Sequence, residues 1–403
     1  MITNKLTIGI SSPFNPYELK SYLFIEDQIR VYDNNIAASS VHALVEGYLK
    51  IGCHVKVFTY DKNVNNITEY HGKQIDIYVI PKRLFGNLRN GTGFVTRLIM
   101  SFHLRRIISK HLEDITFFHT QWTYDFTYAC IPFASKIPVF CTVRDWCPYI
   151  ITTINGWNSK LFWKISYYID KKVKSCKNIH FIANSSYTKE RLQSIGLKNI
   201  PILPNPIKSD YYIENRTEYP DVPIFISISQ SLDDKRKNIK GLLNAFKIYK
   251  EKYPNSELWL VGSYSDNFKE AVLEGYSGVK LWGNLKHIDL MKLLDQVSIL
   301  VHPSFEETFG NIILEAMSRR VPVIGGEDSG AVPLILGKGE YGCVCNVHDY
   351  HSIYEAMEKM VKNSEYRNSI IEKSSRYLKN NFLDYIVAQK HIDYFDKYKI
   401  NKF

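Results

Sequence analysis

No apolar run of about eighteen residues, the length at which a helix can cross a bilayer, occurs in the 403-residue chain. Cysteine is sparse and unpatterned, with seven at positions 53, 130, 141, 147, 176, 343 and 345. An odd number without framework spacing argues against a disulfide scaffold and suits a reducing cytoplasm. Cys343-Val-Cys345 is too short to build a zinc site alone. Alternation along a strand puts both thiols on one face, as small buried apolar groups. Glycine (21) and proline (15) are too few for a fibrous or linker-rich chain. The dinucleotide fingerprint Gly-x-Gly-x-x-Gly is missing after the first strand, where Gly9-Ile-Ser-Ser-Pro-Phe14 stands instead, which argues against a dehydrogenase. No segment has the clustered carboxylates of a Mg²⁺ or Mn²⁺ site. The opening from Met1 to Ser11 reads as a strand entering a sheet, not as a signal peptide.

The chain is 45% apolar and 23% charged, enough for ordinary cores, and its length predicts two domains. Its net charge of +10 is lopsided. Residues 1–206 hold 25 Lys and Arg against 14 Asp and Glu, whereas residues 207–403 hold 26 against 27. Clusters lie at Lys82-Arg83, Arg89, Arg97, Arg105-Arg106, Lys110 and from Lys160 to Lys177. A basic first half is a footprint for an anionic partner: an anionic inner-membrane surface, a pyrophosphate-linked lipid acceptor or nucleic acid. A solvated basic face accounts for it equally simply. Nucleic acid is not expected, because no reading motif or aromatic–basic platform is present.

Strand-like and helical segments alternate in both halves. The first runs through strands at Leu6–Ser11, His54–Thr59, Ile75–Ile80, Thr116–His119, Val139–Val143 and Phe181–Asn184. Helices are predicted at Ser39–Ile51, Val95–Leu112, Tyr124–Ala134 and Ser186–Ile195. The segment from Pro13 to Asn35 reads as irregular. Pro201-Ile-Leu-Pro-Asn-Pro206 stiffens the chain before a polar stretch from Ser209 to Pro220, where the linker is placed. Strands at Ile224–Ser229, Glu257–Val261, Val279–Trp282, Ser298–Val301 and Val321–Ile324 follow, alternating with helices. The last segment, Asp349 to Phe403, is helical in at least two pieces. The expected class is α/β with mostly parallel sheets. The expected division is 1–206, 207–380 and a C-terminal helix over 381–403. Two such domains facing each other would enclose a cleft.

The segment Glu307-Thr-Phe-Gly-Asn-Ile-Ile-Leu-Glu315 sets two carboxylates eight residues apart around a Gly310-Asn311 turn. It follows a strand and opens a helix, the order that makes a ligand crevice at the carboxyl end of a parallel sheet. Helix-start N–H groups at Phe309, Gly310 and Asn311 suit phosphate oxygens.

Further patterns accompany it: Thr142-Val-Arg-Asp145, Asn184-Ser-Ser-Tyr-Thr-Lys-Glu-Arg-Leu192, Pro204-Asn-Pro206, Lys237-Asn-Ile-Lys-Gly-Leu-Leu-Asn-Ala-Phe246, Leu260-Val-Gly262, and Gly325-Gly326 with Ser329-Gly330-Ala-Val-Pro333. Together, and over nearly the full length, the chain resembles a retaining glycosyltransferase of family 4. The resemblance implies a GT-B fold, two facing Rossmann-like domains with a C-terminal helix crossing back to the first. It implies that Glu315 holds the nucleotide ribose, Glu307 meets the donor sugar and Lys237 meets the donor diphosphate. The family's arginine partner to that lysine is displaced here by Gln230 or Ser231, so Arg236 is assigned beside the phosphate. Ser329 and Gly330 line the donor sugar. The family's Gly-Gly loop is replaced by Asn35-Ile36, and the frequent histidine by Arg144, which cannot act as a base. Arg144 and Asp145 either join the sugar site or pair with each other.

His119, Trp122 and Asn35 are acceptor-side candidates, with a satisfied core histidine as the other reading of His119. The resemblance implies a UDP- or GDP-sugar donor, a hexose or N-acetylhexosamine transferred with retention, and no required cofactor or metal. The acceptor it suggests is a glycan or a polyprenyl-diphosphate-linked glycan. A cytoplasmic protein, peripheral on the inner membrane face, is the expected setting. An epimerase or hydrolase of the same architecture, or a sugar-nucleotide binding protein, are the other classes these residues admit.

Overall fold

The structure, a computed structural model, describes residues 6–34, 36, 38–82, 94–154, 156–216 and 219–398. Asn35, Arg83 and Arg89 lie outside the described residues. Two compact units divide the chain: Met1–Lys208 with Asp384–Phe403, and Ser209–Leu383.

The first unit is built on seven strands: β1 (Thr7–Ser11), β2 (His54–Asp61), β3 (Thr68–His71), β4 (Ile75–Pro81), β5 (Phe117–Gln121), β6 (Val139–Val143) and β7 (Ile179–Ala183). Their order is β3-β4-β2-β1-β5-β6-β7. All neighbours pair in parallel except β3, an antiparallel edge on β4. Every residue of β5 and β6 is buried, as a sheet covered on both faces demands. One core joins β1, β2 and β4 to the helices Ser39–Lys50 and Asp384–Phe395. The other takes in Met100, Leu104, Ile107 and Ile108 of helix Phe94–Lys110, with Ile169 and Val173 of helix Trp157–Lys174. Asp384, fully buried, accepts from Lys50 at 2.8 Å, which ties the last helix to this unit.

The second unit carries β8 (Ile224–Ser231), β9 (Glu257–Ser263), β10 (Val279–Gly283), β11 (Ile299–His302), β12 (Val323–Gly326) and β13 (Cys343–Cys345). They form an all-parallel sheet in the order β10-β9-β8-β11-β12-β13. Cys343 and Cys345 are both buried, and burial pushes the Cys345 thiol up to about 12. They behave as small apolar groups.

Three local readings change. The segment expected to be irregular after β1 holds a 3₁₀ helix, Pro16–Tyr22, and a short helix, Ile25–Arg30. Strand β3 and the helices Cys147–Thr153 and Trp157–Lys174 went unread. The exposed face of the longer helix is rich in aromatics, which blurs the apolar period on which helix detection depends. The basic cluster is also not all surface. Arg97 is buried on the Asp125 carboxylate at 2.8 Å and donates to Ser166 at 2.7 Å.

Candidate active site

In the second unit, the strand order reverses between β8 and β11. Chain leaving β8 goes to β9 on one side, and chain leaving β11 goes to β12 on the other. The carboxyl ends of two such strands leave a crevice where ligands bind in open α/β sheets.

The loop after β8 closes in a 3₁₀ turn, Lys235–Lys237, capped by the Asp234 side chain, which accepts from the Arg236 N–H at 3.0 Å. Asn238 turns left-handed at φ 50° and donates its amide to the Val347 carbonyl at 2.7 Å. The turn aims Lys237 at the loop after β11, where its ammonium pairs with the Glu307 carboxylate. The two loops are also joined by backbone, Phe305 N–H donating to the Arg236 carbonyl at 2.8 Å.

Glu307 is held from three sides. His302, the last residue of β11, lies with Nε2 3.3 Å from the same carboxylate oxygen. Behind it, Ala331 N–H donates to the Glu307 carbonyl at 2.9 Å. Gly330, at φ 64°, passes so close that a Cβ there would sit 2.4 Å from that carbonyl oxygen. Only glycine meets both demands. Burial alone would push the Glu307 carboxyl up, but Lys237 and then His302 offset it and hold the group well below the usual carboxylate range.

Gly310 sits at φ 88°, ψ 63° as the N-cap of helix Asn311–Ser318, a left-handed turn that opens the helix. Its own Cβ position is 3.9 Å from His302 Nε2, so the turn borders the Glu307 cluster. Phe309 is buried against Phe382. Ser329 is fully buried and its hydroxyl has no protein partner.

Glu315 lies four residues beyond Asn311, about 6 Å along the axis. Its carboxylate is 3.0 Å from His287 Nε2, and His287 Nδ1 is 3.2 Å from the Tyr211 hydroxyl. His287 begins the helix His287–Leu294 after β10. Lys237, Glu307, Gly310 and the Ser329-Gly330 loop are thus brought into contact, with Glu315 a turn deeper into the helix on the His287 side.

Arg236, expected beside the phosphate, is paired within its own turn. Its guanidinium grips its own turn's Asp234, with Nε at 3.1 Å from both oxygens and Nη2 at 2.6 Å from one. A fork matched to a carboxylate two residues away is already satisfied.

The first unit rearranges the other candidates. Arg144 and Asp145 do not form the structural pair considered above. Arg144 is buried and donates to Gln121 Oε1 at 2.8 Å, Ser40 Oγ at 2.8 Å and Asn205 Oδ1 at 2.7 Å. Burial lowers its guanidinium to about 9. Asp145 instead accepts from the Tyr124 hydroxyl. His119 is fully buried, bonded to the Tyr48 hydroxyl at 2.9 Å and to Thr142 at 2.7 Å, and its ring lies 4.8 Å from His391. It is a core histidine, and the acceptor assignment falls. Burial, then the neighbouring His391 and Arg144, hold it well below its ordinary value. Trp122 keeps a half-exposed ring over Arg144 at 5.5 Å, on a left-handed backbone of φ 62°.

Residues 37–211 match the family described as Glycosyltransferase Family 4, and residues 212–377 match Glycosyl transferases group 1. The chain belongs to glycosyltransferase family 4. This family 4 chain is 29% identical over 162 residues to the capsular polysaccharide biosynthesis glycosyltransferase CapM of Staphylococcus aureus. That stretch is 39% of this chain and 42% of CapM, so the chain spans about half the length of the curated relatives it matches. Its fold is that of sucrose-phosphate synthase from Thermosynechococcus elongatus, with a TM-score of 0.75 at 16% identity, over 98% of this chain and 99% of the other. Anabaena HepE, solved in complex with UDP and glucose, gives a TM-score of 0.63 at 13% identity, over 97% of this chain and 100% of its own. The fold of the family 4 chain is therefore GT-B.

Sequence reasoning gave no role to His302 or His287. His302 carried a faint signal, a polar residue ending a buried strand one loop before the acid. His287 carried none, because 28 residues separate it from Glu315 and only the fold joins them.

Proposed function

We propose that the protein transfers a hexose or N-acetylhexosamine from a UDP- or GDP-sugar to a lipid-linked or surface-polysaccharide acceptor, with retention of anomeric configuration. The observation that carries the reading is the Lys237–Glu307 pair at the strand-order reversal of the second sheet. Without donor, the two charges neutralise each other. With donor, Lys237 and the Gly310-Asn311 N–H groups turn to the diphosphate, and Glu307 to the sugar. Glu315 takes the ribose hydroxyls, since a carboxylate offers two acceptors to two neighbouring donors.

The bond from the anomeric carbon to the diphosphate oxygen breaks, and its electron pair leaves with the nucleotide. Lys237 stabilises the charge that grows there. The acceptor hydroxyl forms the new bond on the same face, and its proton goes to the departing phosphate oxygen. Glu307, kept ionised, steadies the positive charge developing on the sugar. Ser329, Gly330, Arg144 and Asp145 remain candidates for sugar contacts, and Trp122 for the acceptor. A lysine and helix N–H groups supply the charge work, so a metal is not required. The CapM likeness and the UDP bound by HepE support the donor and acceptor classes chosen.

A melting-temperature screen of UDP, GDP and their sugars, with and without EDTA, tests the reading. One nucleotide family should raise the melting temperature in both conditions. No shift with any nucleotide would reject it.

A further inference from the structure

Helix Trp157–Lys174 turns unlike faces inward and outward. Ser166, Ile169, Asp170 and Val173 are buried, Asp170 accepting from Thr123 and Lys174. The outward face exposes Trp157 (77%), Leu161 (41%) and Tyr168 (53%). At about 100° per residue these three fall within about 40° of one another and make one apolar stripe. Lys160, Lys164, Lys171 and Lys172 are exposed and lie within about 80° of its centre. Lys171 and Lys172 lie 5.8 Å from the rings of Tyr167 and Tyr168. The only acid of the helix, Asp170, is on the buried side.

An indole, a leucine and a tyrosine in water are costly for a surface that has no partner. Amphipathic rings flanked by lysines are at home where hydrocarbon meets charged headgroups. We propose that this face lays the protein on an anionic bilayer, with Trp157, Leu161 and Tyr168 entering the headgroup boundary and the four lysines against lipid phosphates. The charge commits the occupant: four cations with no acid among them call for a dense array of anions. A second exposed apolar group, Phe24, Ile25 and Ile29, has the exposed acid Glu26 within it and lacks that complementarity. The inference rests on the proposed lipid-linked acceptor for its purpose, but the binding itself needs neither donor nor acceptor.

Full-length protein is sedimented with vesicles of phosphatidylcholine, with and without phosphatidylglycerol. Wild type should bind the anionic vesicles, release them as salt rises and ignore the neutral ones. Trp157→Ser/Leu161→Ser/Tyr168→Ser should weaken the partition by about tenfold or more. Lys160→Gln/Lys164→Gln/Lys171→Gln/Lys172→Gln should abolish the preference for anionic lipid. Should the fourfold variant melt early, Lys164→Gln/Lys171→Gln replaces it, with a partial loss expected. Ile25→Ser/Ile29→Ser should bind as wild type. The proposal is overturned if wild type does not bind anionic vesicles at low salt, if the triple serine variant binds as wild type, or if polyglutamate captures the protein while vesicles do not. Because no sugar is involved, any of these failures leaves the nucleotide melting-temperature screen, and the transfer reading, standing.

Discussion

His302 Nε2 lies 3.3 Å from the Glu307 carboxylate oxygen that Lys237 also holds. One acid on the loop after β11 is thus faced by an imidazole from its own strand and paired with an ammonium from the loop after β8. The consequence is a half-buried carboxylate kept ionised, beside an ammonium that the proposed mechanism turns to the diphosphate.

Lys237→Ala should lower kcat by about 10²–10³-fold and change the nucleotide Kd much less. Single-turnover kinetics and calorimetry separate the two effects, and an unchanged kcat would remove Lys237 from the chemistry. The same pair has a pH signature. Glu307 is depressed in the folded protein relative to an ordinary value of about 4.3, so the unfolded chain binds more protons here. The stabilisation is present above that range and lost as pH falls through it. The melting-temperature gap between wild type and Lys237→Met should therefore be widest near neutrality and shrink in acid.

Glu315→Ala should raise the nucleotide Kd by about 10–100-fold, the cost of a lost charged hydrogen-bond acceptor. His287→Ala should raise it less, because His287 orients the carboxylate rather than touching the nucleotide. Calorimetric titration with the nucleotide found in the melting screen checks both. A normal Kd in Glu315→Ala sinks the ribose assignment.

Arg144→Met should destabilise the first unit by about 3 kcal/mol, since Gln121, Ser40 and Asn205 each lose a buried donor. Arg144→Lys should restore little, because one ammonium cannot reproduce a planar fork reaching three acceptors. Urea denaturation followed by circular dichroism reads the difference.

The buried histidines predict acid sensitivity in the same unit. Burial pushes His391 down to about 4, and His119 is lowered too. The unfolded chain protonates both near pH 6.5 while the folded one does not, so stability is lost as pH falls below that value. His391 alone should cost about 3 kcal/mol by pH 4. His391→Phe should flatten the decline in melting temperature between pH 6.5 and 4.

Most strands were readable because buried parallel strands are short apolar runs bounded by turn residues, as Val139–Val143 and Glu257–Ser263 show. The antiparallel edge β3, Thr-Glu-Tyr-His, was not: one buried residue in four leaves almost no pattern. Within the candidate site, Lys237, Glu307 and Gly310 could be picked out because their loop, turn and helix contexts are local. The Asp234 partner of Arg236 was not legible, because sequence cannot say which way a guanidinium turns. His119 left two readings open because a histidine in a short apolar strand looks alike whether its tip meets solvent or Tyr48.

The α/β alternation, the parallel sheets and the family were determined by the sequence alone, since each rests on periodicity or on motifs written in consecutive residues. The partners of Glu307, Glu315, Arg144 and His119 were decided only by the tertiary structure. Their hydrogen-bond and ion-pair partners come from segments between 5 and 104 residues away, and a side chain's charge and direction are set by neighbours in space, which linear order does not encode.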